Sequence, residues 1–173
     1  PSNVLIKKSE PVNELWMYYT GLKTRTANTP QAWRDTNPDN GGICLATLRR
    51  DGFVSLVGGL GAGTVTSTAF RGWRMSDSAQ TLFVNAHASA GELTVALEVL
   101  TGEKAEGEGH TDVLCSQLVG RLTTDSTRHA LTPEPSGDCG AVTAANGANT
   151  SDTALRLRFY LSPGVHIYSY WVE

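Results

Sequence analysis

Charge is scarce in this chain. Of its 173 residues 18% are charged and 40% hydrophobic, and the net charge is −3 with a pI near 5.8. Lys7-Lys8 and Arg49-Arg50 are isolated basic pairs, not parts of a stripe. A nucleic-acid binder neutralises several phosphates with clustered Lys and Arg, so nucleic acid is not expected as a partner. Long apolar runs are missing as well. None approaches the roughly 18–20 residues that cross a bilayer as a helix, so no membrane span is expected. No segment carries a sustained helical period. No secretory signal is visible; the chain begins at Pro1 without Met, which reads as a processed or excised product. Cysteine is rare, and Cys44, Cys115 and Cys139 lack the close spacing of a metal-binding set. Cys44 lies in an apolar run and reads as a buried thiol. Cys115 and Cys139 lie nearer loops and are candidates for pairing. One sequon, Asn149-Thr150-Ser151, makes Asn149 a candidate glycosylation site and is compatible with secretion.

Alternation with a period of two fills the space that helices leave. Leu82, Val84, Ala86 and Ala88 alternate with Phe83, Asn85 and His87; Leu93, Val95, Leu97 and Val99 alternate with Thr94, Ala96 and Glu98; Leu155, Leu157, Phe159 and Leu161 alternate with Arg156, Arg158 and Tyr160. Such segments are strands with one face in a core and one outside it. Strands are expected over 14–20, 42–48, 53–57, 64–70, 81–89, 92–100, 127–131, 154–161 and 165–172. The turns at Ala90-Gly91 and Pro163-Gly164 read as hairpins. Residues 21–41 and 132–152 are rich in Asn, Asp, Pro and Gly and read as long loops. The expected fold is all-β: a two-sheet antiparallel, jelly-roll-like sandwich over 58–173, with about three strands in 1–57, too few to close a core of their own. The Gly-rich run from Gly58 to Gly63 joins the two parts.

The stretch Glu14-Leu-Trp-Met-Tyr-Tyr-Thr-Gly21, followed by Ile43-Cys-Leu-Ala-Thr-Leu-Arg-Arg-Asp-Gly-Phe-Val-Ser-Leu56, resembles the end of the last propeller blade in proteins similar to glycoside hydrolase family 32. The rest is similar to that family's C-terminal β-sandwich, from Gly63–Phe70 through the closing strands at Leu155–Phe159 and Tyr168–Tyr170. The resemblance implies a five-bladed propeller ahead of the sandwich, with catalytic carboxylates on earlier blades in segments such as W-M-N-D-P-N-G. No such segment occurs here. On this resemblance the chain is the non-catalytic C-terminal portion of a larger glycoside-hydrolase-like protein, its first strands complete a blade whose other strands come from another chain or a lost segment, and a partner polypeptide is expected.

The candidate chemistry is sparse, and no catalytic residue, cofactor or metal set is expected. Glu92 and Glu98 share a strand face but stand about 20 Å apart at ~3.3 Å per residue, too far for one glycosidase pair; they read as solvated carboxylates. Asp35, Asn37, Asp39 and Gly41 begin like a Ca²⁺ loop, yet Asn40 and Ala46 stand where that loop needs Gly and a carboxylate. The acidic run Glu103, Glu106, Glu108, His110 and Asp112 has no fixed ligand spacing. Asp125, Ser126 and His129 are triad residue types without a nucleophile elbow, and His87 and His166 lack a third ligand. Arg156 and Arg158 read as partners of neighbouring carboxylates.

Aromatic residues are the best binding candidates. Trp33, with Arg34 and Asp35, lies in a polar loop and is a candidate for carbohydrate or partner contact; Trp16 and Tyr18 share a strand face and are candidates for the same role. Tyr168 and Tyr170 are expected on one face of the last strand and Trp171 on the other. Besides the structural role, two further functions fit: a free-standing, lectin-like carbohydrate-binding module, and a structural subunit of an extracellular assembly.

Overall fold

The computed structural model describes residues 4–22, 41–71, 81–100, 113–131, 139 and 154–173. All its elements are strands: β1 (Leu5–Lys7), β2 (Glu14–Leu22), β3 (Gly41–Arg49), β4 (Leu56–Val57), β5 (Gly63–Thr66), β6 (Leu82–His87), β7 (Leu93–Leu100), β8 (Val113–Leu122), β9 (Asp125–Leu131), β10 (Leu155–Leu161) and β11 (His166–Val172). They form three antiparallel sheets, ordered β1-β2-β3, β5-β10-β7-β8 and β4-β11-β6-β9. The all-β expectation holds. The chain divides into two compact units, Pro1–Phe53 and Val54–Glu173.

In the first unit β2 and β3 pair along nine residues each, and the short β1 pairs with the start of β2. Asp51, at φ 57°, and Gly52 turn the chain out of β3, and Gly52 N–H donates to Arg49 C=O at 2.9 Å. A Cβ on Gly52 would stand 2.7 Å from that carbonyl oxygen, so the Arg-Arg-Asp-Gly sequence needs glycine here. Among the described residues this unit contributes no side chain to the buried hydrophobic core; Asn13 is its one buried residue. Cys44, expected to be buried, is a half-buried free thiol.

In the second unit alternation and burial agree. Leu82, Val84 and Ala86 of β6, Leu93 to Val99 of β7 and Leu155 to Leu161 of β10 meet Val119, Leu122, Leu131 and Ile167 in one cluster fed by both four-stranded sheets. Burying a side chain of this size contributes roughly 1.5–3 kcal/mol.

The connections differ from the expectation. The Ala90-Gly91 and Pro163-Gly164 turns do not make hairpins. Strand β6 belongs to one sheet and β7 to the other, and the same is true of β10 and β11. Each turn carries the chain across the core. Alternation is identical in a hairpin and in such an arch, so the turn residues alone could not distinguish them. Strand β8 was not expected. Two register shifts against β7 break its alternation, and Cys115 and Gln117 take inward positions. The expected strand 53–57 shrinks to β4, which pairs with β11, and the strand 64–70 shrinks to β5 followed by a bridge from Phe70 to Leu155.

Candidate functional site

Cross-strand register assembles one polar row on the face of the β4-β11-β6-β9 sheet that points away from the core. His87 lies opposite Asp125 on β9 and opposite His166 on β11, while its neighbours Ala86 and Ala88 point into the core. The residue before β4, Ser55, reaches the far side of His166. The distances follow from this register. His87 Nδ1 is 3.0 Å from Asp125 Oδ2, and His166 Nδ1 is 3.0 Å from Ser55 Oγ. The two imidazole rings stand edge to face with centroids 6.3 Å apart, and Tyr168 stacks on His166 at 6.2 Å.

A β-bulge between Ile167 and Ser169 decides which residues join this face. The extra residue shifts the phase of β11, so Tyr168 and Tyr170 do not share a face as expected. Tyr170 packs on Phe159, with ring centroids 5.0 Å apart. Trp171 instead stacks on Phe83 at 5.6 Å on the outer face, where the Arg128 guanidinium lies 4.4 Å from the Phe83 ring. Trp171 Nε1–H and Arg128 both donate to the Glu173 carboxylate, at 2.8 and 2.5 Å.

A mainly apolar cavity of about 310 Å³ opens at the edge of the second unit, lined by Val54, Leu56, Val65, Phe159, Ile167, Tyr168 and Tyr170, with Ser55 and Ser169 as polar points. It contains no charged group. Its size is at the lower end for small-molecule sites.

The opposite sheet carries a buried carboxylate. Glu98, expected to be solvated, is 3% exposed. Register places it opposite Arg156, and Arg156 Nε–H donates to Oε2 at 2.5 Å. Arg158 Nε approaches Oε1 at 2.8 Å but is misaligned for a hydrogen bond. Two guanidiniums around one carboxylate offset its loss of water. Glu92 is half-exposed and accepts a hydrogen bond from Thr94 Oγ1.

Of the other expected site residues, Trp33, Arg34, Asp35 and Asn149 lie outside the described residues, as do Asp39 and the acidic run 103–112. Trp16 and Tyr18 lie on one face of β2 at 6.5 Å. The Trp16 ring is covered by Lys7, whose Nζ is 4.7 Å from its centroid, and its Nε1–H donates to Glu14. Trp16 is therefore engaged within its own sheet, while Tyr18 is exposed. Asp125, Ser126 and His129 form no triad. Asp125 turns to His87, and Ser126 Oγ accepts the Arg128 backbone N–H at 3.2 Å. Cys115 and Cys139 form a disulfide with a Cα–Cα distance of 5.5 Å. Sequence reading missed the Asp125–His87–His166–Ser55 row, because its members lie up to 111 positions apart and only sheet pairing aligns them. The chain matches no family model, no curated protein and no solved structure.

Proposed function

We propose that this chain is the non-catalytic C-terminal portion of a glycoside-hydrolase-like protein. In this reading β4 to β11 are a jelly-roll-like sandwich, and β1 to β3 are three strands of a propeller blade completed by a second polypeptide. The carrying observation is the state of the first unit. Its three strands bury no hydrophobic side chain among the described residues, while Ile43 is 85% and Tyr19 54% exposed. Strand β3 lies at the edge of that sheet with nine residues. A long apolar edge is a template for another strand and a liability without one. Blades of propellers are typically four-stranded, one strand more than the three here. The strand orders β5-β10-β7-β8 and β4-β11-β6-β9 support the jelly-roll reading of the second unit, with consecutive strands changing sheet except at the β7-β8 pair. The Cys115–Cys139 disulfide supports a secreted location, since disulfides persist in oxidising compartments.

Mass spectrometry of the native protein under non-denaturing and denaturing conditions tests this, together with hydrogen exchange. The expected result is a second polypeptide bound to the chain, with β3 amides slowed in the complex relative to the isolated chain. An isolated monomer whose β3 amides are already protected would overturn it. The free-standing carbohydrate-binding alternative draws support from the Phe83–Trp171 stack, because flat aromatic faces receive sugar rings. It requires saturable sugar binding by the isolated chain that Trp171→Ala abolishes.

A further inference from the structure

We infer that His87 and His166 form a two-imidazole site for a divalent first-row transition metal, Cu(II) or Zn(II), on the outer face of the β4-β11-β6-β9 sheet. The two residues are directly opposed on β6 and β11, with ring centroids 6.3 Å apart. Each ring is held at Nδ1 by an oxygen: Asp125 Oδ2 at 3.0 Å on His87, and Ser55 Oγ at 3.0 Å on His166. Among the described residues neither Nε2 has a protein partner.

This is the arrangement that metal-binding histidines use. A carboxylate or hydroxyl oxygen accepts the Nδ1 proton, fixes the tautomer and leaves the Nε2 lone pair for the metal. A carboxylate on Nδ1 accepts a hydrogen bond from it, so the neutral imidazole that binds a metal here has its hydrogen on Nδ1 and its lone pair on Nε2. The Ser55 hydroxyl can donate or accept, and a metal on His166 Nε2 selects the form in which Ser55 accepts. Stacking of Tyr168 at 17° to the His166 ring restricts its rotation. His87 is 41% exposed, so the site is open to solvent. No group of three or more His, Cys, Asp or Glu that could hold a metal occurs among the described residues. The protein therefore supplies two nitrogens, and water completes the coordination. Imidazole donors favour Cu(II) and Zn(II) over the oxygen-seeking Mg²⁺ and Ca²⁺.

The test is Cu(II) titration of the full chain in a Cys44→Ser background, which removes the competing thiol, read by electron paramagnetic resonance. One saturable site with two imidazole nitrogens is expected. His87→Ala and His166→Ala should each weaken binding by about tenfold or more and leave one nitrogen. Asp125→Asn should weaken it about tenfold while both nitrogens remain, the usual size of a supporting-residue effect. His129→Ala should change nothing. Circular dichroism checks each variant, and His87→Gln and His166→Gln replace any that unfolds. The inference is overturned by absence of saturable binding, or by a two-nitrogen signal that survives replacement of either histidine.

Discussion

Glu98 shows how far a single residue's environment can depart from its pattern. Strand alternation assigns it to the face away from the main core, and that assignment is right. The face itself is covered at that point, and the carboxylate sits between Arg156 and Arg158 with its side chain 4% exposed. Removing its charge leaves two guanidiniums without their counter-ion. A fully buried pair loses about 3–5 kcal/mol when one partner is removed; here the arginines keep 20% and 31% of their side-chain exposure, so Glu98→Gln should cost roughly 2 kcal/mol. The half-exposed Glu92 is the control, and Glu92→Gln should stay within about 0.5 kcal/mol. Urea unfolding followed by tryptophan fluorescence measures both, and equal small shifts would refute the buried-pair account. The same scale explains what was unreadable about His87. Its residue type was visible, but its partners Asp125 and His166 are distant in sequence and meet it only through pairing.

Strands were legible wherever inward positions carry aliphatic side chains, as in β6, β7 and β10. Their pairing was not. The turns at Ala90-Gly91 and Pro163-Gly164 have hairpin composition, yet both carry the chain between sheets. Alternation reports a strand's inward face without reporting which sheet it joins. Strand β8 escaped notice because Cys115 and Gln117 take two of its inward positions and its bulges put the core residues Val119 and Leu122 three apart. Its position is reinforced covalently: Cys115 lies on β8, and its bond to Cys139 closes a separation of 24 residues. By loop-closure entropy that link is worth about 3 kcal/mol. The Cys115→Ser, Cys139→Ser double variant should lose about that much stability in denaturant unfolding. Because the bond restricts the unfolded chain, hydrogen exchange should show a similar loss of protection across β6, β7 and β10. A loss confined to β8, at the edge of its sheet, would show that the bond acts locally instead.

At the scale of the molecule the two units are unequal. Every residue of the buried hydrophobic core lies in Val54–Glu173, and none in Pro1–Phe53 among those described. A fragment covering 54–173 should therefore fold alone and melt cooperatively. A fragment covering 1–53 should show little protected structure by hydrogen exchange, since a small sheet needs a packed face for stability. Scanning calorimetry and circular dichroism on the two fragments check this. An unfolded 54–173 fragment would mean that its core depends on residues outside it.

Sequence alone determined that this protein is all-β and which positions of β6, β7 and β10 face inward, because these follow from side-chain period and composition. Tertiary structure decided the strand partners, the sheet-crossing turns, the burial of Glu98 and the row from Asp125 to Ser55. Those depend on register between distant strands and on bulges that shift it by one residue, and neither leaves a mark in the local pattern.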